Sequence, residues 1–567
     1  MRHEASLFGG NNTARAGELS SVLGRNLILG FLLAGWLPAV QGEDRPEWCG
    51  GPSRNNVSEA KGLADGFEEP KEKCQWSEHS YEPFRTKPGA KGGPLPKLRN
   101  VLWAAPLGVS TYGSPVAAKG RVFVGGCLEY PGDYQGRTTA ALWCFRESDG
   151  SLLWRFRSTY IAKLYNRSFG ITATPTVEDD RVYVISHLGD VLCLDANGLA
   201  DGNDGPFKEE RELLMQGRAL VKAEVNAAGK SAMEVTPGAP GELDSTDGDV
   251  IWRFDMFREL NCRFYNALTS AILIHGDLLL LGTCSTSAPM GLDQKKAPTP
   301  VLIALDRRTG KLVAVNDPQA APPGYHGAHS SPAFGEVNGK GLVFYGNGRG
   351  VCYAFDACPT PGREGLPGTL RLVWQCDCAV PPIYRQRDGV QKPQVMRFEI
   401  VSTPVFHKNR VYVLLGNDLA NSGARAGPGR LLCIDATKTG NITATGRVWT
   451  FDEIRSSSSA VAIADGLLFT ADAAGNVYCL EAETGKLHWK HQTAPVWSSP
   501  LVADGKVYVC TNGRGLLVLA AAREKRVISE GGKLAFAASP AAANGVVYLA
   551  SHQHLYALKA DLGKGGD

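Results

Sequence analysis

Residues Ser459 to Trp489 read SAVAIADGLLFTADAAGNVYCLEAETGKLHW. Apolar and polar positions alternate in short runs, broken at Asp465-Gly466, Asp472 to Asn476 and Thr484-Gly485. A period of two belongs to a strand, and Asp, Asn and Gly supply the turns between strands, so the stretch predicts four short strands. The pattern restarts at Ser499 (SPLVADGKVYVC) and at Ser539 (SPAAANGVVYLA), each time after 40 residues. Earlier copies begin at Ser114 (SPVAAKGRVFVG), Thr174 (TPTVEDDRVYVI), Ser270 (SAILIHGDLLLL), Ser331 (SPAFGEVNGKGLVFY) and Thr403 (TPVFHKNRVYVL). Eight four-stranded units at this spacing predict an all-β, eight-bladed propeller, and the alternation excludes a helical solenoid.

The fourth strand of most units carries a tryptophan: Trp154, Trp252, Trp374, Trp449 and Trp489. The eighth unit stops at Leu558 without one, but LRNVLWAAPLG places Trp103 in a similar strand ahead of the first unit. An N-terminal strand near Trp103 is therefore expected to complete the last blade, which closes the ring and removes its open sheet edges. Units three and seven lack the aromatic, with Ala314 and VLAAAREKRVIS in its place, so their outer edges are expected to pack less well. The expected organisation is a signal peptide over 1–42, an N-terminal extension over 43–99, the propeller over 100–560 and a tail over 561–567.

The chain has 567 residues, of which 43% are hydrophobic and 21% charged, and its formal net charge is +3. That balance excludes wholesale disorder and a multi-span membrane protein, and provides no field to attract nucleic acid. At the N-terminus, Arg2, Arg15 and Arg25 precede the uncharged run LILGFLLAGWLPAV, Leu27 to Val40, with Gly42 and acidic residues after it. This is the order of an export signal, and its apolar run is shorter than the roughly 20 residues a bilayer requires. Cleavage is expected near Gly42, giving a periplasmic or extracellular protein with no membrane span. Leu33-Ala34-Gly35 is followed by Trp36 and not by the cysteine a lipid anchor needs. Fourteen cysteines in an oxidising compartment lead us to expect some disulfides, with Cys49, Cys74, Cys376 and Cys378 as disulfide or metal candidates. Cys193, Cys433 and Cys479 share a strand position with Ala304 and Ala557 and read as small core residues. No Cys-x-x-Cys-His run exists, which excludes c-type haem.

The repeat resembles the PQQ-binding-like β-propeller family of the quinoprotein alcohol dehydrogenase-like superfamily. Its docking motif, Ala-x-Asp-x-x-Thr-Gly-x-x-x-Trp, is matched by Cys479, Glu481, Thr484, Gly485 and Trp489, and its front half by Ala304, Asp306, Thr309 and Gly310. WCGGPSRNN, from Trp48, is similar to the start of that family, so the resemblance covers roughly 46 to 558. It implies the fold and leaves PQQ and calcium as candidate cofactors. The adjacent cysteine pair common in quinoprotein alcohol dehydrogenases is missing.

In a propeller, the loops leading into each first strand and those joining second to third strands emerge at one end of the ring. Most inserted length falls there, including 125–139, 282–300, 316–329, 376–402 and 416–429, and repeat proteins usually carry function on such a face. Residues just ahead of the first strands are expected to ring the channel: Tyr112, Asn266, His326, His329, Glu399, Arg455 and Trp497. Trp497 would stack on a flat ligand, Arg455 would pair with an anion, and Glu399 or His329 would accept a proton, with Tyr112 and Asn266 as further ligand contacts. A solvated rim without ligand is the competing reading. On the third-to-fourth-strand insertion of unit two, DANGLADGNDG offers Asp195, Asn197, Asp201, Asn203 and Asp204 as calcium ligands, with Asx turns as the alternative.

The leading functional reading is an exported scaffold binding a protein, polysaccharide or small ligand on this loop face. The alternative is a PQQ-dependent dehydrogenase that oxidises an alcohol or sugar and passes electrons to an external acceptor. A third is an envelope scaffold similar to the propeller lipoprotein of outer-membrane protein assembly, which Trp36 disfavours.

Overall fold

The computed structural model describes residues 43–70, 98–129, 137–161, 169–215, 243–262, 264, 268–285, 299–323, 329–381, 384–385, 394–395, 398–416 and 426–560. Eight antiparallel four-stranded sheets form a ring, built from 116–161, 176–255, 273–316, 333–377, 405–451, 462–492, 501–531 and 541–558; we number them blades one to eight. The eighth is completed by Val101–Pro106, which pairs antiparallel with His554–Leu558 and sets Trp103 opposite Ala557. The expected eight-bladed, N-terminally closed propeller is the fold observed. Among the described residues no helix is long and apolar enough to cross a membrane.

Local chemistry explains the repeat. The hairpins joining first and second strands place consecutive residues at positive φ, as at Asp465-Gly466, Asp504-Gly505 and Asn544-Gly545, and such turns match the right-handed twist of the flanking strands. In every blade the register of the outermost pair slips by one residue beside the docking position; in blade six Cys479 faces Trp489 while Leu480 faces Leu487. The bulge adds local twist and turns the indole toward the next blade. The residue opposite each tryptophan is Cys144, Cys193, Ala354, Cys433, Cys479 or Ala557, small enough for the ring to lie over it. Each indole N–H then donates to a carbonyl in the next blade's outer turn: Trp103 to Glu147, Trp154 to Ala196, Trp252 to Arg307, Trp374 to Ala436, Trp449 to Ala482 and Trp489 to Ala522. A Cβ on Gly485 would lie 2.6 Å from the Trp449 ring, so Thr-Gly in the motif is the flat surface on which the neighbouring indole rests.

Blades three and seven depart from expectation, because other parts of the chain cover their outer edges. Gly368–Leu370, from the outer loop of blade four, adds a parallel fifth strand beside Ala314. At blade seven, Leu63 and Ala64 are buried between the seventh and eighth sheets, and Phe67 stacks near Tyr556 at 5.6 Å. The expectation of poorer packing followed from the missing tryptophans; covering segments distant in sequence supply the packing instead. No disulfide links the thirteen described cysteines, and all but Cys358 are buried. The disulfide expectation is not met among them; the Cys378 thiol donates to the Cys376 carbonyl at 3.4 Å and the two side chains touch without a disulfide, and Cys74 lies outside the described residues.

Candidate functional site

Six of the eight Ser or Thr hydroxyls that open the units accept a backbone N–H from the preceding blade. The Thr174 Oγ1 accepts the N–H of Ser114, Ser331 accepts from Ala271, Thr403 from Ser331, Ser499 from Ala460, Ser539 from Ser499, and Ser114 from Ser539. These bonds form a belt over most of the ring near the loop end, whereas Ser270 accepts from Gly282 of its own blade and Ser459 donates to Ser498 of blade seven, so the hydroxyls are occupied by the fold.

The opposite, hairpin end is closed by the N-terminal segment 43–58. Its contacts follow the blades in order. Glu43 accepts from Asn544 of blade eight, Arg45 pairs with Ala117 of blade one, and Pro46 accepts from Val177 of blade two. The Arg54 guanidinium donates to Ile272 of blade three at 3.0 Å and to Pro332 of blade four at 2.9 Å. Pro52 then accepts from Phe334 of blade four, Ser53 from Phe406 of blade five, and Asn56 from Val502 of blade seven. Asn55 exchanges two bonds with Ile463 of blade six, and Ser58 donates to Ala542 of blade eight. The segment thus makes one complete circuit inside the ring. Arg54, fully buried at its hub, is paired with Glu47 at 2.8 Å, and Lys119 in the first hairpin of blade one donates its N–H to Asp44.

The described residues among those predicted from sequence stand at the loop end, each in its own surroundings. Tyr112 is half-buried, with its ring 5.2 Å from Phe169 and 5.3 Å from His552. Burial pulls the His552 pKa down to about 4. His329 is half-buried, its carbonyl accepting from Thr269 Oγ1 at 2.8 Å with the same hydroxyl 3.5 Å from Nδ1. Glu399 is buried and bridged to Gly416 through both backbone bonds. Trp497 is half-buried and accepts from Ser458 Oγ at its carbonyl. Arg455 is exposed and faces a cleft of about 210 Å³ between blades five and six, shared with Pro428, Asp452, Glu453, Tyr478 and Lys490. Asn266 and His326 lie outside the described residues.

The proposed calcium ligands on blade two have contacts within the protein. Asp195 accepts from the Asn197 N–H and from Arg181, and Asn197 donates to Asp201 while accepting from Arg121. Asn203 donates to Glu210 and accepts from Lys208.

A flat tricarboxylate quinone held with calcium requires carboxylates grouped for the metal and cations turned to the quinone. Among the described residues no group of three or more His, Cys, Asp or Glu is placed to hold a metal, and the channel hydroxyls are already committed to the belt. The described donors do not fit PQQ with calcium.

Residues 429–565 match the family profile described as outer membrane protein assembly factor BamB. That match covers the last blades of the ring. The chain is an eight-bladed β-propeller whose residues 429–565 are similar to the PQQ-like repeat. No curated protein matches the sequence. Among solved structures, a europium-containing methanol dehydrogenase is similar at 11% identity over 90% of each chain, TM-score 0.50. BamB from Moraxella catarrhalis is 14% identical over 82% of this chain and 98% of its own, TM-score 0.44. A quinohemoprotein alcohol dehydrogenase from Comamonas testosteroni is 11% identical over 93% of this chain and 82% of its own, TM-score 0.38. At these identities the likeness of the propeller to solved structures concerns the fold.

Proposed function

We propose that this propeller is an exported binding scaffold that takes a protein, polysaccharide or small-molecule partner at its loop end. The observation that carries the reading is the circuit of 43–58, which occupies the hairpin end of the channel and leaves the loop end as the face where the inserted loops leave and rejoin the sheets. Export is supported by the order of charged residues, the apolar run Leu27 to Val40 and Gly42 ahead of the ring. The donor set argues against the dehydrogenase alternative, since the described loop-end residues assemble no acidic metal site.

Photo-crosslinking residues placed separately at Ser458, on the loop end, and at Lys119, on the hairpin end, test the reading in whole cells. Crosslinked partners are expected from the first position and not from the second. Alcohol oxidation by purified protein supplied with PQQ, calcium and an artificial acceptor, or partners captured only from Lys119, would overturn it.

A further inference from the structure

The insertion of blade two leaves the sheet after Asp195 and returns at Asp249, immediately before the fourth strand Val250–Asp255. Asp249 is wholly buried. Its Oδ2 accepts the Asp204 N–H at 2.8 Å, whereas its Oδ1 is buried with no hydrogen-bond partner. Glu210, which opens the short helix Glu210–Met215, is 3% exposed. Its Oε2 accepts from Asn203 Nδ2 at 3.1 Å, and its Oε1 is likewise buried without a partner. The two carboxylates hold consecutive residues of the same loop, Glu210 the Asn203 side chain and Asp249 the backbone N–H of Asp204. Arg181 is spent on Asp195, and the Lys208 ammonium rests on the Asn203 and Asp204 carbonyls and the Asn203 amide oxygen. No cationic side chain among the described residues is ion-paired with either Glu210 or Asp249.

Buried carboxylate oxygens are almost always hydrogen-bonded, paired or coordinated to a metal, because stripping water from them is costly. Here two such oxygens, from opposite ends of one insertion, are left over in a loop rich in carbonyl and amide oxygen. We propose that Glu210 and Asp249 ligate a calcium ion that ties the insertion of blade two to the start of its fourth strand. The donors are all hard oxygens, which suits calcium, and a partly protein-built shell completed by water suits it better than magnesium, which demands near-ideal octahedral geometry. With two carboxylates the affinity falls in the weak class, with a dissociation constant of about 1 mM. This inference does not depend on the scaffold reading.

Equilibrium dialysis of the intact protein with radioactive calcium at neutral pH is the test. One ion per chain is expected, half-saturating at about 1 mM, with affinity lowered about tenfold or more in Asp249→Asn and in Glu210→Gln. Calcium should also raise the thermal midpoint of the wild type and leave those of the two variants unchanged. Both substitutions keep side-chain shape and remove charge, and if one fails to fold the other carries the test. Absence of bound calcium, or binding unchanged in both variants, overturns the proposal. So does a wild type whose midpoint responds to pH but not to calcium, the behaviour of two carboxyls sharing a proton.

Discussion

Behind Tyr112, the His552 imidazole is buried and its pKa falls from 6.5 to about 4 because burial disfavours the charged ring. An unfolded chain takes up that proton near pH 6.5 while the folded one refuses it until about pH 4. Stability from this residue is therefore complete above pH 6.5 and drains away as pH falls toward 4, by about 3 kcal/mol in all. Urea midpoints measured across that range should fall more steeply for the wild type than for His552→Gln. Asp249 has the opposite sign. Its pKa is raised from 3.8 to about 6, so its contribution is present below pH 3.8 and lost as pH rises through 6. Asp249→Asn removes that ionisation, and without calcium it should unfold at higher urea than the wild type near neutral pH, by about 1–3 kcal/mol. The sequence reading of the blade-two loop ends at Asp204. Glu210 and Asp249 lie on the far side of an insertion, and only Asp247-Gly248-Asp249 at its return hinted that acidic residues converge there. Likewise, Arg455 and Trp497 stand ahead of first strands, but sequence spacing carries no information on which way a side chain turns, and Arg455 faces an inter-blade cleft.

At the level of strands and turns, the recurring residues had legible partners only where those partners also recur. Ser/Thr at the head of each unit, Gly in the outer turn, Cys or Ala on the third strand and Trp on the fourth form one mechanism: the bulge aims the indole, the small residue seats it, and the glycine of the next blade receives it. Trp374 is fully buried, and Trp374→Ala should cost about 3–5 kcal/mol by emptying the seam between blades four and five. Ser499→Ala removes an acceptor and leaves the Ala460 N–H buried and unpaired, so a smaller loss of about 1–3 kcal/mol is expected in urea unfolding. Blades three and seven were misjudged for a physical reason. Their missing indoles are replaced by Gly368–Leu370 and by Leu63 with Phe67, and no repeat marks such unique segments in the sequence.

Over the whole molecule, ring closure was readable because Trp103 carries the docking signature outside the eight units, whereas the circuit of 43–58 was not, since it makes its contacts mainly through backbone bonds that any sequence could offer. Side chains add to them at Asn55, Asn56 and Ser58, and most of all at Arg54. One guanidinium joins blades three and four to Glu47 and to the Trp48 carbonyl, so the turn of chain from 47 to 54 is held from its centre. Arg54→Met would leave the Glu47 charge and three carbonyls without their donor, at a cost of about 3–5 kcal/mol. The first strands contribute the N–H groups of Val177, Phe334, Phe406 and Val502 to the circuit, whereas the outer three strands of each blade are paired independently of it. Hydrogen exchange of Arg54→Met should therefore show those four amides losing protection together while the amides of Leu467–Ala471 and Asn476–Glu481 keep theirs. Loss confined to Phe334 would mean that the segment is held contact by contact. Loss spreading through the outer strands would mean that blade integrity depends on the circuit itself, and that the propeller is complete only when residue 43 onward has been wound into the ring.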